Sequence, residues 1–305
     1  MLLDRHLSIG KDHDICQDYT HILQPDDVNK IGIAIVCDGC SSCHKTEPTV
    51  DTGARIIALT ALRYLREKVK GKTTIEQLTD NDIAQLIDVI AFEATVVAAS
   101  LGISASSLSS TLLILLSDGI HSNVLMLGDG AFVYKRKGQC YMDAQQVEFT
   151  SHAPFYINYV FDKDGAQDYK DYFGTFPIYS TAYKILPDGC DEILMCKPER
   201  KQLTTNFGKQ FYSQLNFMIE GELEYIAIMS DGIESFFDGM DKQPFEKMAQ
   251  KMLFFKNLQG QFIQRRMLKF SSTNPELQHG DDLSITGITF TPQCKKPSIQ
   301  QTETA

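Results

Sequence analysis

The sequence predicts an α+β fold in which antiparallel strands alternate with pairs of helices. Short apolar runs bounded by turn residues indicate the strands, and two regions with helical periodicity indicate the helix pairs. Along the chain, strands, a helix pair, more strands, a second helix pair and a final strand follow one another. Because strand runs connect through Asp-Gly turns rather than through helical crossovers, a layered sandwich is expected instead of βαβ units.

The N-terminal half supplies a buried strand and the first helix pair. The strand is the apolar run 31–37. A helix over 47–70 follows, because Pro48 suits a first helical turn and apolar residues recur after it at helical spacing. A second helix is predicted over about 80–101, and Gly102 ends it.

The C-terminal half adds further strands and the second helix pair. Turns at Asp118-Gly119 and Asp129-Gly130 separate three β-type runs, which are predicted to form one antiparallel meander. The predicted strands are 110–116, 124–127, 131–135, 192–196, 223–229 and 283–290, and the predicted helices are 241–255 and 259–270.

Composition narrows the classes of partner and compartment. The chain has 305 residues and a net charge of −10, which disfavours binding to nucleic-acid phosphates. No segment approaches the roughly 20 apolar residues of a membrane span, and the N-terminus lacks the apolar core of a secretory signal. The eight cysteines are scattered rather than packed into a small scaffold. We therefore expect a cytoplasmic protein with reduced thiols and neither a nucleic-acid nor a membrane partner.

Aspartates stand at the borders of three predicted strands. Asp38-Gly39 and Asp231-Gly232 each end a buried run, and Asp281 lies just ahead of the final strand. Strand ends hold side chains rigidly, and a neighbouring glycine lets backbone oxygen or water approach closely. Carboxylates select Mg²⁺ or Mn²⁺. The pattern predicts a hard-metal site at one sheet edge, where two ions can activate water and neutralise a phosphoryl group.

Six short motifs in chain order give the sequence a family resemblance. They are residues 10–18, 36–39, 109–111, 127–130, 230–232 and 280–282. Over about residues 8–290 the chain resembles the metal-dependent protein phosphatases of type 2C, and their bacterial-type branch in particular. The resemblance implies a four-layer α-β-β-α sandwich of two antiparallel sheets, with Mn²⁺ or Mg²⁺ in a cleft at the sheet edge.

The resemblance also implies roles for individual residues. Asp38 would bridge two ions, Asp231 and Asp281 would complete the ligands of the first ion, and the carbonyl of Gly39 would bind the second. Asp129, together with Asp231, would form a weaker third site.

Catalytic roles follow from the same comparison. Asp38 would hold the metal ions that activate the water, and Asp18 would hold the metal-bound water. His13 occupies the approximate place of a phosphate-binding arginine. The implied reaction is hydrolysis of phosphoserine and phosphothreonine esters.

Three positions depart from the family pattern. Gln17 stands where many relatives have glutamate, His13 cannot form an arginine's bidentate fork, and Cys40 replaces a histidine proposed as general acid. Water or His44 are candidate substitutes for that acid. These changes leave open a catalytically weak pseudophosphatase that binds phosphoproteins or acts as a regulatory module.

The cysteine-rich string from Cys37 to His44 has rival interpretations. Its Cys-x-x-Cys-His pattern matches haem attachment, and its three cysteines suit zinc. Haem attachment requires export, and no second cysteine pair follows at zinc-finger spacing. Inert small side chains are the favoured interpretation, ahead of a redox-sensitive thiol at Cys40 or Cys43.

The predicted organisation is a single catalytic domain over residues 1–290 and a polar tail over 291–305. The aromatic-rich segment 152–183 is expected to be either a flap or insert beside the site, or a surface subdomain that packs its aromatic rings internally. The expected partners are phosphorylated proteins, including a serine/threonine kinase or its targets. A monomer is expected.

Overall fold

Two antiparallel β-sheets stacked face to face form the centre of the protein. The computed structural model describes residues 1–40, 50–78, 82, 85–174, 176–188, 197–203 and 215–290. A pair of helices covers the outer face of each sheet, so the predicted α+β sandwich of four layers is confirmed. No helix in these described ranges is long and apolar enough to cross a membrane.

The first sheet has five strands and carries the first helix pair. Helices α1 (Val50–Val69) and α2 (Leu86–Ser100) pack on each other, and α1 packs on two of the strands. In spatial order the strands are β10 (Leu215–Glu220), β5 (His121–Leu127), β4 (Leu112–Ser117), β3 (Gly32–Cys37) and β2 (Tyr19–Leu23).

The second sheet has seven strands and carries the second helix pair, α4 (Phe245–Leu253) and α5 (Phe262–Thr273). In spatial order its strands are β1 (Leu2–Ser8), β15 (Leu283–Thr289), β11 (Leu223–Met229), β6 (Gly130–Arg136), β7 (Met142–Phe149), β8 (Ile178–Ile185) and β9 (Glu199–Leu203). A small three-stranded sheet contains β12 (Phe236–Asp238), β13 (Asp241–Lys242) and β14 (Leu277–His279).

Strand β11 shows why apolar residues in the central strands do not alternate with polar ones. Ile226 and Ile228 face the core between the two sheets, whereas Tyr225, Ala227 and Met229 face the helix pair α4 and α5. Because both faces of the strand are buried, both sets of side chains are apolar. The strand that presents Asp231 is therefore fixed from both sides.

The predicted meander of three strands was wrong at its second turn. Strands β4 and β5 pair as expected, but β6 belongs to the other sheet, where it pairs with β7 and β11. Gly128 and Gly130 turn the chain there with φ of +97° and +126°. A Cβ on Gly128 would lie 2.6 Å from a Thr111 side-chain carbon, so only glycine fits this close crossing.

Other boundaries also shifted. The helix predicted over 241–255 begins at Phe245, because residues 241–242 pair as β13 and Pro244 precedes the first turn. Strands β1, β2, β7, β8, β9 and β10 were not predicted. The predicted strand 192–196 and the tail 291–305 lie outside the described residues, as do Cys43 and His44.

The aromatic-rich segment contributes to both a local cluster and a sheet. It contains a short 3₁₀ turn (Ile157–Val160) and helix α3 (Lys163–Phe173). The rings of Phe155 and Tyr169 meet edge to face at 5.3 Å, and both side chains are buried in the main core. The last part of the segment is strand β8 of the seven-stranded sheet.

The carboxylate of Asp4 links β1 to the start of α5. It accepts hydrogen bonds from the backbone N–H groups of Ile263, at 2.6 Å, and Gln264, at 3.1 Å, and the residue is buried. An Asp4→Ala variant leaves both N–H groups without this acceptor. We expect it to lower the free energy of unfolding by about 1–3 kcal/mol.

Urea denaturation followed by circular dichroism measures this change. Asp4→Asn is the matched control, since its amide oxygen still accepts a hydrogen bond, and it should lose less stability than Asp4→Ala. Equal stability of the alanine variant and the unmodified chain would contradict this role of Asp4.

Candidate active site

One cavity of about 450 Å³ collects the predicted acidic residues at the edges of the two large sheets. The loop after β3, the turn between β5 and β6, the end of β11 and the turn before β15 all open into it. The residues that line it include His13, Gln17, Asp38, Gly39, Cys40, Asp129, Glu148, His152, Tyr156, Arg200, Asp231, Glu234 and Asp281. Of the predicted site residues, only Asp18 is absent from this lining.

Backbone pairing with the start of β4 fixes Asp38 and Gly39. The N–H of Asp38 donates to Thr111 Oγ1 at 3.2 Å, and the carbonyl of Asp38 accepts from the Thr111 N–H at 2.9 Å. Gly39 forms a β-bridge with Ser110. A Cβ on Gly39 would lie 2.5 Å from the carbonyl oxygen of Gln17, so a side chain would force this junction apart.

Reciprocal hydrogen bonds hold the end of β11 against the start of β15. Ser230 N–H donates to the Ser284 carbonyl at 3.0 Å, and Ser284 N–H donates to Ser230 Oγ at 3.1 Å. Asp231 then begins a short 3₁₀ turn. Ser235, at the end of that turn, accepts a hydrogen bond from the Asp281 N–H through its Oγ at 3.2 Å. These contacts place Asp231 and Asp281 on the same side of the cavity.

Asp282 organises the opening motif of the chain. Its buried carboxylate accepts hydrogen bonds from the backbone N–H groups of Gly10, at 2.8 Å, and Gln17. His13 lies beside it, with Nδ1 3.1 Å from Asp282 and Nε2 3.6 Å from Asp281. The imidazole therefore lies between two carboxylates at the cavity edge, with which it forms ion pairs when it is protonated.

Asp18 is a carboxylate buried outside the cavity lining. Within the described residues, neither of its side-chain oxygens has a hydrogen-bond partner. Burial raises the pKa of Asp18 to about 8, although the nearby hydroxyl groups of Ser284 and Ser230 lower it in part. The carboxylate of Asp38 is close enough for the charge of Asp18 to raise its pKa.

The carboxylates of the cavity lie close enough together for the charge of one to raise the pKa of another. Burial raises the pKa of Asp38 well above its usual range, and the charges of Asp18 and Asp231 raise it further. Burial and the charge of Asp231 also raise the pKa of Asp129 and of Asp281. Like charges gathered in a poorly solvated cavity require a counter-charge.

The donor set fits a hard divalent cation in its chemistry. All of its side-chain donors are carboxylate oxygens, which Mg²⁺ and Mn²⁺ prefer. Asp231 Oδ1 is buried and has no hydrogen-bond partner within the described ranges. Among those same residues, no three Asp, Glu, His or Cys side chains converge closely enough to coordinate one ion as they stand. Coordination therefore requires side-chain rotations that draw the carboxylates together around a cation.

A polar network beside the carboxylates was not found from the sequence. Gln146 Nε2 donates to Glu234, at 2.5 Å, and to Glu148, at 3.2 Å, and Tyr183 donates to Gln146 Oε1 at 2.7 Å. Burial raises the pKa of Glu234 to about 7, against a lowering by the bond from Gln146, while the charge of Asp231 raises it further. Glu234 follows the Asp231-Gly232 motif by two residues, which is the one sequence signal that pointed here.

The cavity wall contains residues from strands that the sequence pattern did not reveal. Arg200 comes from β9, Glu148 from β7, and His152 and Tyr156 from the segment after β7. His152 adopts the left-handed conformation with φ of +52°, the only non-glycine residue among those described to do so.

Comparison with known proteins identifies the family. A sequence profile of the family described as protein phosphatase 2C matches residues 8–270. The chain belongs to this family, which confirms the family resemblance. No curated protein sequence gives a significant match to the chain.

Solved structures share the fold at low identity. A bacterial serine phosphatase is 13% identical, with a TM-score of 0.55 over 97% of this chain and 100% of that one. A variant of a bacterial serine phosphatase with one arginine replaced by lysine is 14% identical, with a TM-score of 0.54 over 97% and 100%. The serine/threonine phosphatase Stp1 from Staphylococcus aureus is 14% identical, with a TM-score of 0.49 over 95% of both chains.

Charge repulsion in the cavity predicts opposite effects of one substitution. Asp231→Asn removes a charge that disfavours the ionised forms of Asp38, Asp129 and Asp281. In metal-free buffer it should therefore stabilise the chain, on the order of 1 kcal/mol, or a few °C in melting temperature. The same change should remove most of the additional stability that Mn²⁺ gives the unmodified chain.

Differential scanning calorimetry with EDTA and with Mn²⁺ tests both effects. Asp27→Asn is the control, because Asp27 is a fully exposed carboxylate outside the cavity. A destabilised Asp231→Asn chain that still gains full stability from Mn²⁺ would contradict the assignment.

Proposed function

We propose that the chain is a Mg²⁺- or Mn²⁺-dependent protein serine/threonine phosphatase. The observation that carries this proposal is that Asp38, Asp129, Asp231 and Asp281 all line one cavity in a member of the protein phosphatase 2C family. Hard-metal carboxylates at strand ends suit hydrolysis of a phosphoric monoester, in which negative charge must be neutralised and water activated.

Individual residues of the chain would bind the metal ions that this hydrolysis requires. Two divalent cations, when bound, would supply the Lewis acidity that activates water and neutralises the phosphoryl oxygens. Asp38 would hold both ions, Asp231 and Asp281 would hold the first, and the carbonyl of Gly39 would hold the second. Asp129, beside Asp231, would hold a third and weaker cation.

Asp18 and His13 would act on water and on the carboxylates. The free oxygens of Asp18 would accept hydrogen bonds from water and orient it toward phosphorus. His13 would keep Asp282 in place through Nδ1, and its Nε2–H, which lies 3.6 Å from Asp281, would turn to the phosphoryl group when the ring is protonated. Because Cys40 stands in place of the proposed general acid, water from the open side of the cavity would protonate the departing alkoxide.

The expected setting is regulation by reversible phosphorylation. The substrates would be proteins phosphorylated on serine or threonine, including a serine/threonine kinase or its targets. The chain would act in the cytoplasm as a monomer, with residues 1–290 forming the catalytic domain.

A catalytically weak phosphoprotein-binding module is the second candidate. Its support is the position of His13 between two carboxylates together with glutamine and cysteine at positions 17 and 40. Such a module would keep the cavity and the phosphate affinity but turn substrate over slowly.

Activity assays decide between the two. With Mn²⁺ we expect hydrolysis of p-nitrophenyl phosphate and of a phosphothreonine peptide. Asp38→Ala and Asp231→Asn should each lower kcat/KM by at least about 100-fold, because each removes an oxygen donor that stabilises transition-state charge. Phosphate release measures the rate.

The controls separate metal dependence from folding. Asp27→Asn should retain the activity of the unmodified chain, and EDTA should abolish that activity until Mn²⁺ is restored. Turnover no faster than that of Asp38→Ala would reject the phosphatase proposal in favour of the binding module.

A further inference from the structure

Arg200 brings a guanidinium group to a cavity that is otherwise rich in carboxylates. It lies on β9, at the free edge of the seven-stranded sheet, and its side chain is 52% exposed. Among the described residues it is the only arginine that lines the cavity. Nothing in the roles proposed above uses it.

The guanidinium is held in position while most of its donors remain available. It stacks over the ring of Tyr179 at 4.0 Å, and its Nη2 donates to Glu148 at 3.3 Å. A guanidinium has five N–H donors. Within the described part of the chain, Glu148 is the only acceptor of this group, so a further anionic partner has donors to bind.

The network along β7 locates Arg200 relative to the carboxylate cluster. Gln146 bonds to Glu234, next to Asp231 in the cavity, and Glu148 bonds to Arg200. Residues at positions i and i+2 of a strand lie on the same face about 7 Å apart. The side chain that holds Arg200 is therefore about one such step along β7 from the side chain that holds Glu234, and Arg200 and Asp231 line the same cavity.

This position beside the carboxylate cluster, on the exposed side of the cavity wall, suits a side chain of a bound peptide rather than the phosphoryl group itself. In an extended peptide, side chains two positions apart also point the same way and lie about 7 Å apart. Glu148 is one-third exposed, so it holds Arg200 through a solvent-screened ion pair. A carboxylate of the substrate can bind the same guanidinium alongside Glu148.

We propose that Arg200 selects substrates by binding an acidic side chain close to the phosphorylated serine or threonine in the peptide sequence. The inference rests on the proposed function, in that phosphorylated proteins enter this cavity. Arg200 is a specificity residue in this scheme and takes no part in the hydrolysis.

Binding of hydrolysis-resistant peptides tests the proposal without turnover. Fluorescent peptides with a phosphonate analogue of phosphothreonine carry glutamate, glutamine or lysine two residues on either side. Anisotropy in Mn²⁺ gives Kd for each peptide. On the unmodified chain we expect the glutamate peptides to bind about fivefold more tightly than the glutamine peptides.

Substitutions at Arg200 supply the decisive comparison. Arg200→Ala should abolish the preference, and Arg200→Glu should reverse it toward the lysine peptides. Arg136→Ala is the matched control, because Arg136 also stacks on a tyrosine, Tyr134, but lies outside the cavity lining. It should retain the preference for glutamate.

The outcomes that overturn the proposal are distinct. Equal weakening of all peptides by Arg200→Ala would show contact with the phosphoryl group instead. A preference unchanged in Arg200→Ala and Arg200→Glu, or absent from the unmodified chain, would also overturn it. Hydrolysis of p-nitrophenyl phosphate, measured in parallel, tests the phosphatase function separately, because a chain without turnover can still show the charge preference.

Discussion

The repulsion among carboxylates in one poorly solvated cavity is the constraint on which the rest of the site depends. Asp38, Asp129, Asp231 and Asp281 arrive from four different junctions of the fold, and burial together with neighbouring charge raises the pKa of three of them. Such an arrangement costs stability unless a counter-charge is present. The packed core of the two sheets holds these carboxylates in place despite their repulsion.

Backbone contacts rather than side-chain packing set the geometry of these junctions. Gly39 pairs with Ser110 and lies against the Gln17 carbonyl, while Asp282 accepts the N–H groups of Gly10 and Gln17. The contacts of Asp282 join segments more than 260 residues apart, and those of Gly39 join it to residues 17 and 110. A substitution at these positions would therefore act on the cavity through the backbone that forms its edge.

The sequence was informative where one local pattern determined the structure. Buried apolar runs such as β11 predicted the core of the sandwich. The Asp-Gly pairs at Asp38 and Asp231 predicted cavity residues, because a residue that directly follows a buried strand lies at the edge of the sheet. It was uninformative for the exposed strand β9, whose charged residues lack alternation, and hence for Arg200. The sequence also did not show that the chain passes from one sheet to the other between β5 and β6. An Asp-Gly turn is compatible both with a hairpin and with a crossing between sheets.

The central claim is that this cavity binds divalent cations through its aspartates. Anomalous diffraction from crystals grown with Mn²⁺ tests it most directly. The account predicts two strong anomalous peaks about 3.5–4 Å apart, with carboxylate oxygens of Asp38, Asp231 and Asp281 as ligands. No peak in the cavity at saturating Mn²⁺, or peaks bound only by other residues, would contradict it.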